Sequence, residues 1–280
     1  MSKKVAVLLT VFNRKEKTLA CLANLFAAMD KVEGNVDFDV FLTDDKSTDG
    51  TRETLEEMYP SVNVLAGDGN LFWCRGMIRA WEAALRKDDY DAFIWLNNDS
   101  FVYPDGLDTL FKAAEESGEN AIIGGAFISE LTGKTSYGGK INYKLIDPNG
   151  RLQEFCQLNG NLIYVPKAVF DKIGLLDATY HHSLGDTDYG YRAAKQGIKL
   201  YLTPEYVGTC DRNDHTPLFC NAGYPLRKRL NYLYSPLGPS PVTRFKFNIR
   251  HFSLFKAVKS YVSTHLMCFF PLIFKIRFPE

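Results

Sequence analysis

Phe93-Ile94-Trp95-Leu96 is a short, wholly apolar run that stops abruptly at Asn97-Asn98-Asp99-Ser100. Aromatic and β-branched residues over a few positions, bounded by polar ones, make a buried strand with a polar tip. Three more apolar runs end alike. Val5 to Val11 leads into the cluster Thr10 to Arg14, Phe38 to Thr43 into Asp44-Asp45-Lys46-Ser47-Thr48-Asp49-Gly50, and Val62 to Leu65 into Gly67-Asp68-Gly69-Asn70. Between the runs, apolar residues recur at helical spacing, as at Leu19, Leu22, Leu25, Phe26 and Met29, and helices are predicted over 17–29, 51–58 and 76–85. Strands alternating with helices build a parallel, doubly wound sheet whose strand tips share one edge, and ligands of such sheets bind beyond that edge.

After Pro104 the pattern loosens. A helix over 107–116 and a strand over 121–128 precede a Gly- and Asn-rich stretch, where Tyr137-Gly138-Gly139 and Asn149-Gly150 read as hairpin or loop punctuation. A strand follows over 161–165, and Pro166 fits the first turn of a short helix through Phe170. A helix over 187–196 closes at Gly197, and a strand over 199–203 is expected to stop at Pro204. The expected organisation is one domain, 1–224, with halves 1–104 and 105–224, then an extension over 225–280.

The formal net charge of zero hides an asymmetry. Residues 225–280 hold ten Lys or Arg against Glu280 alone, while 1–224 hold 23 bases against 32 acids. A basic, aromatic-rich tail fits a polyanionic neighbour, and the mixture over 245–273 reads as interfacial helices on an anionic membrane. A helix pair packed on the domain is the plainer alternative. Nucleic acid fits less well, since no DNA- or RNA-binding motif accompanies the charge. The charge-free stretch 260–274 contains Pro271 and falls short of the roughly 20 residues a spanning helix needs. Val5 to Phe12 ends at Asn13-Arg14 without a cleavage site, so it reads as a strand and not a secretory leader. Six scattered cysteines without metal-ligand spacing fit free thiols in a reducing compartment.

No Gly-x-Gly-x-x-Gly or Gly-x-x-x-x-Gly-Lys follows the first strand, which disfavours a dinucleotide enzyme or a P-loop ATPase. Ser47 and Asp49 suit helix capping, and Asn98, Asp99 and Ser100 taken alone suit a turn. Asp45 differs in kind, because a carboxylate directly after a strand can accept the imide N–H of a pyrimidine base.

The strings TVFNRKEKTLACLANL, DDKSTDGT, GDGNLFWCRGM, WLNNDS, NGNLIYVPKAVFDKIGLLD and GDTDYGYRAAKQG, in that order over about residues 4–205, resemble the family 2 glycosyltransferases. Many of these are bacterial polysaccharide enzymes, rhamnosyltransferases among them. The resemblance implies a GT-A fold: a Rossmann-like, mostly parallel central sheet with helices on both faces, an irregular acceptor half and a helical C-terminal extension. It implies a hexosyl transfer, from a nucleoside diphosphate sugar to a glycan or lipid-linked glycan, in the cytoplasm at the inner face of the membrane. Asp45 takes the base-binding position. Thr10, Phe12, Arg14, Asn70, Arg75, Asn97 and Asn98 fall in donor-side segments, Arg75 facing phosphate oxygens and Trp73 stacking or packing. The family's D-x-D falls on Asn97-Asn98-Asp99, so Asp99 alone offers a carboxylate to Mn²⁺ or Mg²⁺. Such ions are content with one or two carboxylates beside a diphosphate. Asp186 takes the position of the catalytic base, with Gly185 where the family has Glu. Asp188 is then a first-turn acid or a supporting partner. His215 is a further possible metal ligand, and His181 and His182 suit a loop or an acceptor site. The departures at Asn97 and Gly185 also fit a second reading, a nucleotide- or glycan-binding protein on a degenerate GT-A scaffold.

Overall fold

The computed structural model describes residues 2–212 and 216–272, and His215 lies outside the described residues. The chain divides into two compact units, Met1–Ala178 with Asp186–Arg212, and Thr179–Gly185 with Asn213–Glu280.

In the first unit the elements run β1 (Lys3–Val11), α1 (Lys15–Met29), β2 (Val36–Asp44), α2 (Thr51–Met58), β3 (Asn63–Ala66), α3 (Phe72–Lys87), β4 (Ala92–Leu96), β5 (Phe101–Val102), α4 (Gly106–Glu116) and β6 (Ile122–Ile128). Then come the short strands β7 (Thr135–Tyr137), β8 (Lys140–Ile141), β9 (Lys144–Leu145) and β10 (Gln153–Glu154), followed by β11 (Leu162–Pro166), α5 (Lys167–Ile173), α6 (Gly185–Lys195) and β12 (Leu200–Thr209). The main sheet has the order β10-β12-β6-β11-β4-β1-β2-β3. β4, β1, β2 and β3 are parallel neighbours, with Leu8 opposite Trp95, Val11 opposite Asp44 and Asp44 opposite Ala66. That register brings four strand tips to one edge.

Val5 to Leu9 and Phe93 to Leu96 are buried throughout, as strands covered on both faces must be. Alternation then sorts the side chains. Val5, Val7, Leu9 and Val11 join Leu22 and Leu25 of α1 and Leu107 and Leu110 of α4 in one core. On the opposite face Phe93 and Trp95 of β4 meet Trp81 of α3, Phe170 of α5 and Tyr189 of α6, with ring centroids 5.0–5.9 Å apart. Such tilted and edge-on pairs add about 0.5–1.5 kcal/mol each beyond their buried area.

Three local features differ from the sequence reading. β11 runs antiparallel to both β4 and β6, interrupting the parallel order. Pro166 is the last residue of β11, opposite Ala92, and its extended backbone (φ −61°, ψ 150°) precedes α5 instead of opening it. Pro204 does not stop a strand: β12 continues to Thr209. Its missing N–H is accommodated by a bulge, where the register with β6 jumps from Leu202 opposite Gly124 to Tyr206 opposite Ala126. The Thr203 hydroxyl repairs the ladder there, accepting from Ala126 N at 3.0 Å and donating to Glu205 O at 2.9 Å.

The second unit contains a 3₁₀ turn (Leu218–Cys220), α7 (Leu226–Leu233), α8 (Pro241–His251) and α9 (Leu254–Phe269). Phe219, Cys220, Leu233 and Cys268 form its small core. Ser253 caps α9 by accepting from Lys256 N at 3.2 Å. Among the described residues no helix is long and apolar enough to cross a membrane.

α3 sits tightly on the sheet because Gly76 has no side chain. A Cβ there would lie 2.1 Å from Thr10 Oγ1 and 2.8 Å from Thr10 Cβ. The contact is reinforced by Thr43 Oγ1 donating to Gly76 O at 2.9 Å. Gly76→Ala is therefore expected to destabilise the fold by about 1–3 kcal/mol, measured by urea unfolding, despite the higher helix propensity of alanine.

Candidate functional site

The tip of β2 is built around Asp45, which is buried. Its Oδ1 accepts from Gly69 N at 2.8 Å, and its Oδ2 from Leu71 N at 2.9 Å and Phe72 N at 3.0 Å. The carboxylate thus gathers the loop after β3 and fixes where α3 begins. Asn70 projects from that loop, exposed, its backbone N–H held by Asp68 Oδ1 at 2.8 Å. Asp49, expected as a cap, takes the Thr51 N–H at 3.1 Å on Oδ1 and the Lys15 N–H at 3.0 Å on Oδ2, so one side chain ties the starts of α1 and α2 together. Ser47 instead accepts from Asn13 N, at 2.7 Å.

At the β1 tip Phe12 is 55% exposed, a large ring standing clear of the core. Thr10 lies under α3, where its hydroxyl donates to Thr43 O at 3.3 Å, so it packs the scaffold. Arg14 reaches the β4 tip, with Nη1 2.8 Å from Asp99 Oδ2.

The two amides at the β4 tip have separate structural duties. Asn97 Oδ1 accepts from Trp73 Nε1 at 2.7 Å. Asn98 Nδ2 donates to Thr18 Oγ1 at 3.0 Å, and that hydroxyl donates to Arg14 O at 3.1 Å. Beneath them the buried Asn161 donates to Ser100 Oγ at 3.0 Å and to Cys210 Sγ at 3.5 Å. Burial, with Asp99 nearby, pushes the Cys210 thiol up to about 12 and raises Cys21 further, so both are inert thiols.

Trp73 carries the tip across to Asp186. A Cβ at Gly160 would lie 2.6 Å from the Trp73 ring and 3.5 Å from Asp186 Cβ, so glycine lets the indole and the start of α6 close on one another. Asp186 Oδ2 accepts from Gly160 N at 3.1 Å, and Oδ1 from Thr187 N at 2.7 Å and Thr187 Oγ1 at 3.3 Å. Burial lifts the Asp186 carboxyl above the ordinary carboxylate range, opposed by these hydrogen bonds and by the charge of Lys140. Asp188, fully buried, instead pairs with Arg192 Nε at 2.8 Å, and Arg192 donates on to Ile173 O and Leu175 O.

Lys140, on β8, escapes the sequence reading. It is half-buried, and desolvation, with Arg212 nearby, lowers its proton affinity. Nothing in its surrounding residues marks it, because the β8–β9 hairpin that carries it turns at Asn142 and Tyr143, both with positive φ. Arg75 is oriented by its Nε, which donates to Ala178 O at 3.0 Å and leaves the two Nη groups as further donors. In the second unit His181 and His182 line a cavity of about 100 Å³ with Ser183, Tyr234, Ser240 and Thr243.

A mixed α/β sheet flanked by helices, with its acidic strand tips on one edge, is the architecture of a GT-A transferase. The chain belongs to the family 2 glycosyltransferases: residues 6–173, more than half of it, match the family described as Glycosyl transferase family 2. Its activity is glycosyl transfer, which takes a nucleotide-sugar donor and an acceptor. No curated protein matches the sequence.

Asp45→Ala is expected to cost about 1–3 kcal/mol of stability, read as a lower urea midpoint, because it strips the acceptor from three loop N–H groups. An unchanged midpoint would mean that the loop does not depend on the carboxylate.

Proposed function

We propose that the protein is an inverting transferase that moves a sugar from a UDP- or dTDP-sugar to a growing, lipid-linked glycan in surface polysaccharide synthesis, at the cytoplasmic face of an anionic membrane. The observation that carries this reading is Asp186, a carboxylate held by three hydrogen bonds and raised in proton affinity, joined through Gly160 and Trp73 to the tip that bears Asp99. In an inverting transfer such a carboxylate takes the acceptor hydroxyl's proton as that oxygen attacks the anomeric carbon, opposite the departing diphosphate. Raised basicity suits this role, since the carboxylate must pull on an alcohol proton. Lys140 keeps the ionised form accessible. Asp45 orders the loop that borders the donor, and Phe12 offers its exposed ring to the base.

Among the described residues no group of three or more His, Cys, Asp or Glu side chains could hold a metal. Asp99 remains a fit ligand in another sense, because one carboxylate together with a substrate diphosphate satisfies Mn²⁺ or Mg²⁺. When bound, the ion would neutralise charge on the leaving diphosphate. His215 belongs to this proposal only as a further ligand.

Support for the membrane comes from the second unit by itself. Its described residues, 179–185 and 216–272, carry eight Lys or Arg and no Asp or Glu. Leu254 and Phe255 at the start of α9 are 63% and 78% exposed. Apolar residues beside lysines suit an anionic lipid surface.

Nucleotide release from UDP- and dTDP-sugars with Mn²⁺ tests the chemistry. Asp186→Asn is expected to lower kcat by about 10²- to 10⁴-fold while leaving donor affinity in place. The acid limb of kcat/KM should lie above that of an ordinary carboxylate, because activity is lost as pH falls through a raised Asp186 pKa, and Lys140→Met should move it higher still. Donor binding without turnover for any acceptor would instead favour a binding protein. For the membrane, Lys256→Gln with Lys259→Gln should weaken co-sedimentation with anionic vesicles by roughly fivefold per lysine, and Phe255→Ser should weaken it on neutral vesicles too. Sedimentation that neither change alters would refute the membrane reading.

A further inference from the structure

The β1 tip has an unusual backbone. Asn13 and Arg14, neither of them glycine, both adopt left-handed conformations, with φ of 56° and 67°. Non-glycine residues persist there only where the surroundings over-determine them, and such strain gathers at functional sites. Here the surroundings are explicit. Asn13 N donates to Ser47 Oγ at 2.7 Å, Asn13 Oδ1 accepts from Thr48 N at 2.9 Å, and Lys15 N donates to Asp49 Oδ2 at 3.0 Å. From the other side, Thr18 Oγ1 holds Arg14 O and is itself held by Asn98 of the β4 tip. The backbone of Arg14 is thus pinned by both tips at once.

What this pinning achieves is the contact of Arg14 Nη1 with Asp99 Oδ2 at 2.8 Å. The side chains are 50% and 26% exposed, so the pair is reachable from solvent and can be exchanged. Asp99 is the one carboxylate on its tip, and Asn97 Oδ1 is already engaged by Trp73. A divalent cation approaching without nucleotide therefore meets a single anionic ligand that is already neutralised. A cation and a guanidinium cannot both sit on that oxygen, and their like charges repel. Once displaced, a planar guanidinium is well suited to phosphate oxygens.

We propose that Arg14 is the resident counter-ion of Asp99, which keeps the site from taking up metal alone and moves to the donor's diphosphate when metal and nucleotide enter together. Metal uptake thereby becomes conditional on donor. This rests on the reading of Asp99 as the metal ligand.

The test is a Mn²⁺ titration of the full chain, followed by the electron paramagnetic resonance signal of free Mn²⁺, with and without UDP. Wild type is expected to bind Mn²⁺ weakly alone and more tightly with UDP. Arg14→Met should tighten binding of Mn²⁺ alone by about three- to tenfold, the range for a partly exposed ion pair, and should reduce the gain from UDP by a similar factor. Arg14→Gln, which also removes the charge but keeps a polar side chain, should do the same, so that a folding defect in one variant does not decide the result. Asp99→Asn should abolish uptake. Uptake lost in Asp99→Asn but unchanged in both Arg14 variants would overturn the counter-ion role and leave Asp99 as a metal ligand. Uptake that Asp99→Asn does not change would overturn both.

Discussion

Three backbone N–H groups of one loop converge on the two oxygens of Asp45, and much of the site follows from that convergence. A carboxylate that accepts several backbone donors holds them by charge-assisted bonds, roughly twice as strong as neutral ones. Because Leu71 and Phe72 are so anchored, α3 begins at a fixed place and Trp73 faces the β4 tip. Trp73 then grips Asn97 on one side and is closed upon by Gly160 and the start of α6 on the other. The β4 tip and the surroundings of Asp186 thus hang on the same short loop. The chain has spent one acidic side chain on internal order at a place where a ligand contact would have been the simpler use.

The parallel half of the sheet was legible because burial on both faces forces near-continuous apolar runs, and the tips announce themselves where those runs stop. That the polar tips share one edge followed from topology alone. Less legible were features in which one local rule yields to a tertiary one. Pro204 reads as a stop, yet a threonine hydroxyl on the neighbouring position repairs the ladder around it. The turn at Asn142 and Tyr143 has the two left-handed residues of a tight hairpin, but tyrosine gives no hint of that conformation. β11 reads as a strand, but its reversed direction depends on partners remote in sequence. Within the site the residue types were visible and their partners were not. That Asn97 serves Trp73, that Arg75 serves a carbonyl, and that Lys140 stands near Asp186 are facts of three-dimensional placement.

Charge is divided between the two units as sharply as the fold. In the first unit several acids sit at strand tips and helix starts, Asp45, Asp49 and Asp186 each matched by N–H groups and Asp99 by a single cation. The second unit contains eight Lys or Arg and no acidic side chain among its described residues. Such a one-signed surplus of charge attracts anions over a distance set by the ionic strength.

Of the six cysteines, five are buried and Cys156 alone is exposed. The thiols beneath the β4 tip are held in their neutral form by the same desolvation that encloses Asn161 and Ser100. A thiol-selective reagent therefore meets an effectively one-thiol protein. Cys156 offers a native handle for a dye or a spin label beside Lys140, whose carbonyl accepts the Cys156 N–H at 3.0 Å. The protein can report on the surroundings of Lys140 without a residue being changed.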